Sequence, residues 1–165
     1  MFTCSGIIFN TESPRRSEEF VTRKITKFFA DFAHNNFLLK DKLQLGNIHS
    51  SRDWTHAEDT VEAIYLIANN YRPKDYVVAS GETHAIYDFM KECYDSLQVV
   101  YNKKIRYKLE ELYEINQSFI RPNEVNYLKG NASEIYVDLG WKPKINFSCL
   151  VADMLSNDIA LASKK

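Results

Sequence analysis

Apolar positions recur along this chain at two alternating spacings, and the alternation predicts an α/β fold with parallel strand pairing. Residues 2–9, closing on Gly6-Ile7-Ile8-Phe9, read as a buried strand. Residues 17–33 read as a helix, because Phe20, Val21, Ile25, Phe28, Phe29 and Phe32 return at helical spacing. Leu43-Gln44-Leu45 is a short strand ending at Gly46-Asn47, and Arg52-Asp53-Trp54 is short and extended. A helix over 57–70 places Val61, Ile64, Tyr65 and Ala68 on one face. Tyr76-Val77-Val78-Ala79 is a β-branched strand closed by Ser80-Gly81-Glu82, and a helix follows over 85–97. Between 99 and 119 the pattern weakens: Ile105-Arg106-Tyr107 reads as a strand and the acidic run 110–114 as a solvated face. A short helix over 132–138, a turn at Leu139-Gly140-Trp141-Lys142-Pro143 and an amphipathic helix over 148–161 complete the chain. These last elements suit a small lobe set beside a sheet.

Composition narrows the function classes. The 165 residues are 45% hydrophobic and 26% charged, which is ordinary globular usage and enough for a real core. A net charge of −1 excludes a nucleic-acid binder held by a broad basic surface, while leaving room for a local anion site. No apolar run reaches the length of a membrane span, and no secretion signal opens the chain. Cys4, Cys93 and Cys149 form no Cys-x-x-Cys pair and read as reduced thiols of a cytoplasmic protein. Three Asn-x-Ser triplets, at Asn116, Asn131 and Asn146, are chance matches on that reading.

Three stretches carry candidate chemistry. The first is Asn10-Thr11-Glu12-Ser13-Pro14-Arg15-Arg16, continued by Phe20-Val21-Thr22-Arg23-Lys24-Ile25. It follows an apolar strand, and open α/β sheets bind ligands at the carboxyl ends of strands. Arg15, Arg16 and Lys24 suit a phosphorylated ligand near a helix start; a solvated basic turn is the competing reading. The second runs from Leu45-Gly46-Asn47 to Arg52-Asp53-Trp54-Thr55-His56 and Asp59, where Arg52 can clamp a phosphate. His49, His56 and Asp59 match no metal-ligand spacing, so no metal site is expected. The third is Phe119-Ile120-Arg121-Pro122-Asn123-Glu124-Val125, where an arginine held extended by the following proline can reach a ligand and Glu124 can accept from ribose hydroxyls. An exposed loop is the alternative. Tyr87-Asp88-Phe89-Met90-Lys91 imitates the Tyr-x-x-x-Lys dyad of short-chain dehydrogenases, yet it follows the wrong strand and reads as plain helix surface. No cysteine has an assignable base. No catalytic residue is therefore expected in the chain.

Taken together, these blocks resemble GDP-mannose 4,6-dehydratase, an extended short-chain dehydrogenase/reductase. The resemblance runs through Asn10 to Ile25, Leu45-Gly46-Asn47, Arg52-Asp53-Trp54, His56-Ala57-x-Asp59-x-Val61-Glu62-Ala63, Ala79-Ser80-Gly81-Glu82-x-His84, Arg121-Pro122-x-Glu124-Val125 and Leu139 to Pro143. The first block is specific; Leu-Gly-Trp-Lys-Pro is shared more widely among sugar-nucleotide enzymes. The resemblance implies that Asn10 touches the sugar diphosphate and that Thr11 and Arg16 contact an NADP cofactor. It implies that Val21 and Lys24 pack beside and hydrogen-bond the guanine, that Asn47 lies near the base, that Arg52 and Arg121 hold the diphosphate and that Glu124 holds the ribose. Thr11 stands where the family usually has histidine, Thr55 where it usually has glycine, and residues 98–118 match poorly.

The implied fold is the C-terminal part of a Rossmann-like parallel sheet with the small substrate-binding lobe, residues 1–165 forming one partial domain. Only nine residues precede Asn10, and the family's dinucleotide loop and catalytic Thr, Glu, Tyr and Lys have no equivalent in the chain. The expected function is thus the substrate-binding portion of a GDP-mannose 4,6-dehydratase, inactive unless an N-terminal half completes it. The alternatives are a noncatalytic relic or nucleotide-sugar-binding module, and, disfavoured by Ser-Pro-Arg-Arg, a fragment of a related epimerase. The expected partners are GDP-mannose or GDP and a complementing N-terminal chain or a second copy. An apolar strand edge left open at residues 2–9 motivates the last expectation.

Overall fold

The β-branched runs form short strands and the 3.6-periodic runs form helices, in an order close to the expected one. The computed structural model describes residues 2–164; Met1 and Lys165, the outer bounds of the expected domain, lie outside the described residues. In chain order come β1 (Gly6–Ile8), β2 (Asn10–Glu12), α1 (Val21–His34), β3 (Leu43–Leu45), β4 (Ser51–Arg52), β5 (Trp54–His56) and α2 (Ala57–Ala68). Then follow β6 (Tyr76–Val78), β7 (His84–Ala85), α3 (Ile86–Val100), α4 (Leu109–Leu112), β8 (Tyr113–Ile115), α5 (Ser133–Leu139) and α6 (Phe147–Ala162). These sort into two compact units. The first holds the chain up to Ser13, Ser51–His84 and Tyr127–Leu150; the second holds Pro14–Ser50, Ala85–Asn126 and the chain from Val151 on.

In the first unit, β1 pairs parallel with β6, from Gly6 opposite Tyr76 to Ile8 opposite Val78. The chain then changes partner. The Phe9 N–H still reaches the Val78 carbonyl at 3.0 Å, but β2 pairs parallel with β5, so that Thr11 faces Thr55 in register. Residues 10–12, read from the sequence only as following a strand, are therefore a strand themselves. The expected burial of residues 2–9 is also corrected: Ile7 is 56% exposed and Ile8 43%. Gly6 lies beside Ile67 of α2, and alternation turns Ile7 and its partner Val77 to the opposite face. β6 is the one partner of β1 among the described strands, so one edge and one face stay open.

The buried face of α2 is Asp59, Thr60, Ala63 and Ile67. Ala63 and Ile67 close a core with Tyr76, Val78, Ile135 and Trp141. The face expected from periodicity, Val61, Ile64, Tyr65 and Ala68, is instead exposed, because the helix turns Ala63 and Ile67 onto Tyr76 and Val78. Gly140 ends α5 at φ 69°, the left-handed conformation glycine adopts without a Cβ penalty. Trp141 then donates its indole N–H to the Asp59 carbonyl at 3.0 Å, while the Asp59 carboxylate accepts the Ile145 N–H at 3.0 Å. The Leu-Gly-Trp-Lys-Pro turn is thus a lock on the start of α2.

In the second unit, α1 packs along α3 and β3 pairs parallel with β8. Phe29 and Phe89 are fully buried, each worth about 1.5–3 kcal/mol relative to exposure. Phe28 and Phe32 stack with ring centroids 6.2 Å apart, and Phe37 meets Phe32 edge-on at 5.4 Å. The helix expected from residue 17 begins at Val21, because the Phe20 N–H turns back to the Ser17 carbonyl at 3.1 Å. The strand expected at 105–107 is absent; Ile105 is a buried loop residue and the strand lies at 113–115. The acidic run does present Glu110, Glu111 and Glu114 to solvent, but Leu109 and Leu112 anchor it as α4.

Candidate functional site

In the first unit, Asn10 and Thr11 lie on β2 and Arg52 on β4, all half-buried. The Thr11 hydroxyl shares a hydrogen bond of 3.1 Å with the Thr60 hydroxyl on α2, and it lies 3.4 Å from the Phe9 carbonyl. One guanidinium nitrogen of Arg52 donates to the Ser51 carbonyl at 2.9 Å. Between β4 and β5 sits Asp53, fully buried. Its carboxylate accepts the Ser80 N–H at 2.7 Å and hydroxyl at 2.6 Å, and the Gly81 and Gly130 N–H groups at 3.0 Å each. One side chain thereby fixes the Ser80-Gly81 turn and the Gly130 strap around the carboxyl end of β6. Gly130 permits this closeness, since a Cβ there would strike the Ala79 Cβ and stand 3.2 Å from the Phe9 ring.

In the second unit, the Pro14–Arg16 turn is held from beneath. Arg23, buried on α1, donates through Nη1 to the Pro14 carbonyl and, at 2.8 Å, to the Arg16 carbonyl. Its other nitrogens fork onto Asp158 of α6 at 3.2 and 2.9 Å, and Thr26 donates to the same carboxylate at 2.6 Å. A buried guanidinium is tolerated because its donors meet a carboxylate and two carbonyls. The Arg16 guanidinium lies 3.5 Å from the Phe20 ring centroid, a cation held against an aromatic face. Arg15 is exposed.

The remaining candidates of this unit lie on three elements. Val21 and Lys24 stand on the first turn of α1, Asn47 follows β3, and Arg121 and Glu124 lie in the segment after β8. That segment is pinned along the β3 turn. The Asn116 N–H donates to the Leu45 carbonyl at 2.7 Å, and the Asn47 amide donates to the Asn126 side chain at 3.2 Å. Lys24 Nζ lies 5.0 Å from the centroid of Phe119. Arg121 is exposed and Glu124 half-buried. Phe119, which opens the third candidate stretch, was given no role of its own in the sequence; its contact with Lys24 is what the structure adds.

Other candidates resolve into structural roles. The Tyr87 hydroxyl donates to Glu110 at 3.1 Å, and burial together with that carboxylate pushes its pKa up, opposite to what a proton-transfer tyrosine needs. Lys91 is drawn to Asp95 at 2.6 Å. His56 caps α2 by accepting the Glu58 N–H at 3.2 Å, and Asp59 holds Ile145. Burial raises the Cys93 thiol well above its ordinary pKa, which keeps it protonated.

Comparison with known proteins bears on the family and the fold. Residues 1–154 match the family described as GDP-mannose 4,6 dehydratase. The chain is 40% identical to the GDP-mannose 4,6 dehydratase of Drosophila melanogaster, over 99% of this chain and 43% of that protein. It is 41% identical to GDP-mannose 4,6 dehydratase 1 of Arabidopsis thaliana, over 100% of this chain and 43% of that protein. The chain thus spans less than half the length of these relatives. In fold it is similar to RMD from Pseudomonas aeruginosa, solved with NADPH, at a TM-score of 0.76 and 21% identity over 96% of this chain and 48% of that one. It is also similar to a Thermotoga maritima UDP-glucose 4-epimerase, at a TM-score of 0.71. The fold is accordingly part of the Rossmann-like sheet and lobe expected from the sequence, and the chain belongs to the GDP-mannose 4,6 dehydratase family.

Proposed function

We propose that this chain is the C-terminal, substrate-holding portion of a GDP-mannose 4,6-dehydratase, acting in the conversion of GDP-mannose to GDP-4-keto-6-deoxymannose when completed by an N-terminal polypeptide. The observation that carries the reading is the cluster of the second unit, where Lys24 meets Phe119 and Asn47 meets Asn126 at the two ends of the segment that holds Arg121 and Glu124. In it Lys24, Val21 and Asn47 hold the base, Arg121 the diphosphate and Glu124 the ribose. In the other unit Arg52 is the candidate for phosphate oxygens and Asn10 for a sugar diphosphate contact.

The cofactor of this reading is NADP, served by Thr11 and Arg16. The donor set fits a phosphate-bearing group: Arg16 offers a guanidinium whose backbone is fixed by Arg23 and whose plane rests on Phe20. Thr11 offers only a hydroxyl already engaged with Thr60, a weaker contact than an imidazole. When bound, NADP supplies the hydride acceptor and donor for the sugar C4. The residues of this chain bind and orient; none is assigned a proton transfer. The completing polypeptide adds to the open edge and face of β1, since parallel sheets are otherwise covered on both faces.

The test is calorimetry of the purified chain with GDP, GDP-mannose and UDP, on wild type and Arg121→Ala. Weak binding of the two guanine ligands, lost in the variant, supports the reading; no binding, or equal binding of UDP, rejects it. Mixed with NADP and the N-terminal remainder of the Arabidopsis relative, the chain should gain turnover that it lacks alone.

A further inference from the structure

We propose that residues 99–115 form a self-complementary surface on which a second copy of this chain docks antiparallel. The surface is separate from the open edge of β1 and holds none of the residues proposed to bind nucleotide. It lies wholly in the second unit, in the stretch that departs from the family pattern. Its outward side chains run in four blocks. Apolar Val99 and Val100 come first, 80% and 65% exposed. Basic Lys103, Lys104, Arg106 and Lys108 follow, then acidic Glu110, Glu111 and Glu114, all exposed. Ile115, 41% exposed, closes the series. The segment is anchored from below by Ile105, Leu109 and Leu112, which are buried. The Lys103 N–H returns to the Gln98 carbonyl at 3.1 Å, and the Tyr94 hydroxyl donates to the Tyr107 carbonyl at 2.8 Å.

These charges find no opposite partner within the chain. Among the described residues, no carboxylate lies in ion-pair range of the four cations. Lys103 and Arg106 rest instead on the rings of Phe37 and Tyr107, 5.1 and 4.7 Å from the centroids. The carboxylates accept from uncharged donors: Glu110 from the Tyr87 hydroxyl at 3.1 Å, Glu111 from the Lys108 main-chain N–H at 2.7 Å and Glu114 from the Gln44 amide. An extended polyanion, nucleic acid or lipid surface, would meet the acidic block as well as the basic one, and facing like charges oppose binding. A second copy laid antiparallel meets opposite charge along both blocks. It also sets Val99 and Val100 against Ile115 of the partner subunit. Such a contact is isologous and closes as a dimer about a two-fold axis. One segment a side is a small interface, so the association is weak and salt-sensitive.

The experiment is sedimentation velocity of the full chain, in reductant, across a concentration series at about 0.02 M and about 0.5 M salt. Wild type should dimerise reversibly at low salt and more weakly at high salt. Lys104→Glu with Lys108→Glu, and separately Glu110→Lys with Glu114→Lys, should each weaken self-association by about tenfold or more. An equimolar mixture of the two variants should dimerise at least as tightly as wild type. Both lysines are exposed, so the first variant stays folded and decides by itself if the second does not fold. A wild type that stays monomeric at low salt overturns the proposal. So does a lysine variant that dimerises like wild type, which would put the contact elsewhere, or a mixture of folded variants that stays monomeric. A monomer that instead binds a DNA duplex or anionic vesicles at low salt also overturns it, and makes the basic block a polyanion site.

Discussion

Replacing Asp53 by alanine strands the donors of two turns at once. Its carboxylate takes four hydrogen bonds, three from main-chain N–H groups and one from the Ser80 hydroxyl. The hydroxyl has a second acceptor in the Glu82 carbonyl at 3.1 Å and loses least. The Gly130 N–H is buried and has no route to water, whereas Ser80 and Gly81 are partly exposed and can be rehydrated. At about 1–3 kcal/mol for each buried donor left unmet, one full and two partial penalties give a loss of about 3–5 kcal/mol. That is a large share of the about 5–15 kcal/mol that holds a domain folded. With an urea slope of about 2 kcal/mol/M, the midpoint should fall by about 2 M. Both tryptophans, Trp54 and Trp141, are buried in the same unit as Asp53, so their fluorescence reads the right transition. Asp53→Asn keeps the shape but turns a donor toward the N–H groups, and should cost nearly as much. A loss below about 1 kcal/mol in Asp53→Ala would refute the claim that this carboxylate organises the turns.

Three further outcomes are expected. Gly130→Ala forces a methyl against Ala79 and Phe9 on a backbone that Asp53 will not release; overpacking of about 2 kcal/mol should lower the melting temperature by about 4–8 °C, as calorimetry would record. Cys149 is exposed, Cys4 half-buried and Cys93 buried with a raised pKa, so a disulfide reagent at pH 8 should titrate one thiol fast, one slowly and the third only in denaturant. Lys74 and Tyr76 donate to Asp138 at 2.7 and 3.1 Å, and these bonds, Lys74 first, hold the Asp138 pKa below its ordinary value. A carboxyl depressed in the folded state stabilises above its unfolded pKa and loses that contribution as pH falls through the folded one. Wild type should therefore exceed Asp138→Asn in urea midpoint at pH 6, and the gap should close toward pH 2; a gap that does not change with pH would refute the linkage.

The sequence carried the helices well where apolar spacing was strong. The ends of α2 and α6 fell within two residues of expectation. It failed where partners decide. Ile7 and Ile8 are apolar and β-branched, so pattern alone buries them; which strands flank them is not written in their own composition. The same limit applies to α2, where Ala63 and Ile67 rather than Val61 and Tyr65 meet the sheet. At the site, residue types foretold arginines and a glutamate but not which elements meet. Phe119 was named only as the start of a stretch, because its close approach to Gly46, 73 positions away in the chain, is not legible locally. Thr11 and Thr55, read separately as two departures from the family pattern, are register partners on neighbouring strands and so form a single local change.

The Arg23–Asp158 fork joins positions 135 residues apart and, through Arg23, the Pro14–Arg16 turn. The shape of that turn is consequently written partly at the far end of the polypeptide. During synthesis it cannot set until Asp158 has left the ribosome, and a shortened chain ending before α6 would keep every residue of the turn yet lose its conformation. Surveys that compare only the arginine-bearing stretch between relatives would miss half of what maintains it, since a change at 158 alters the turn as surely as one at 23.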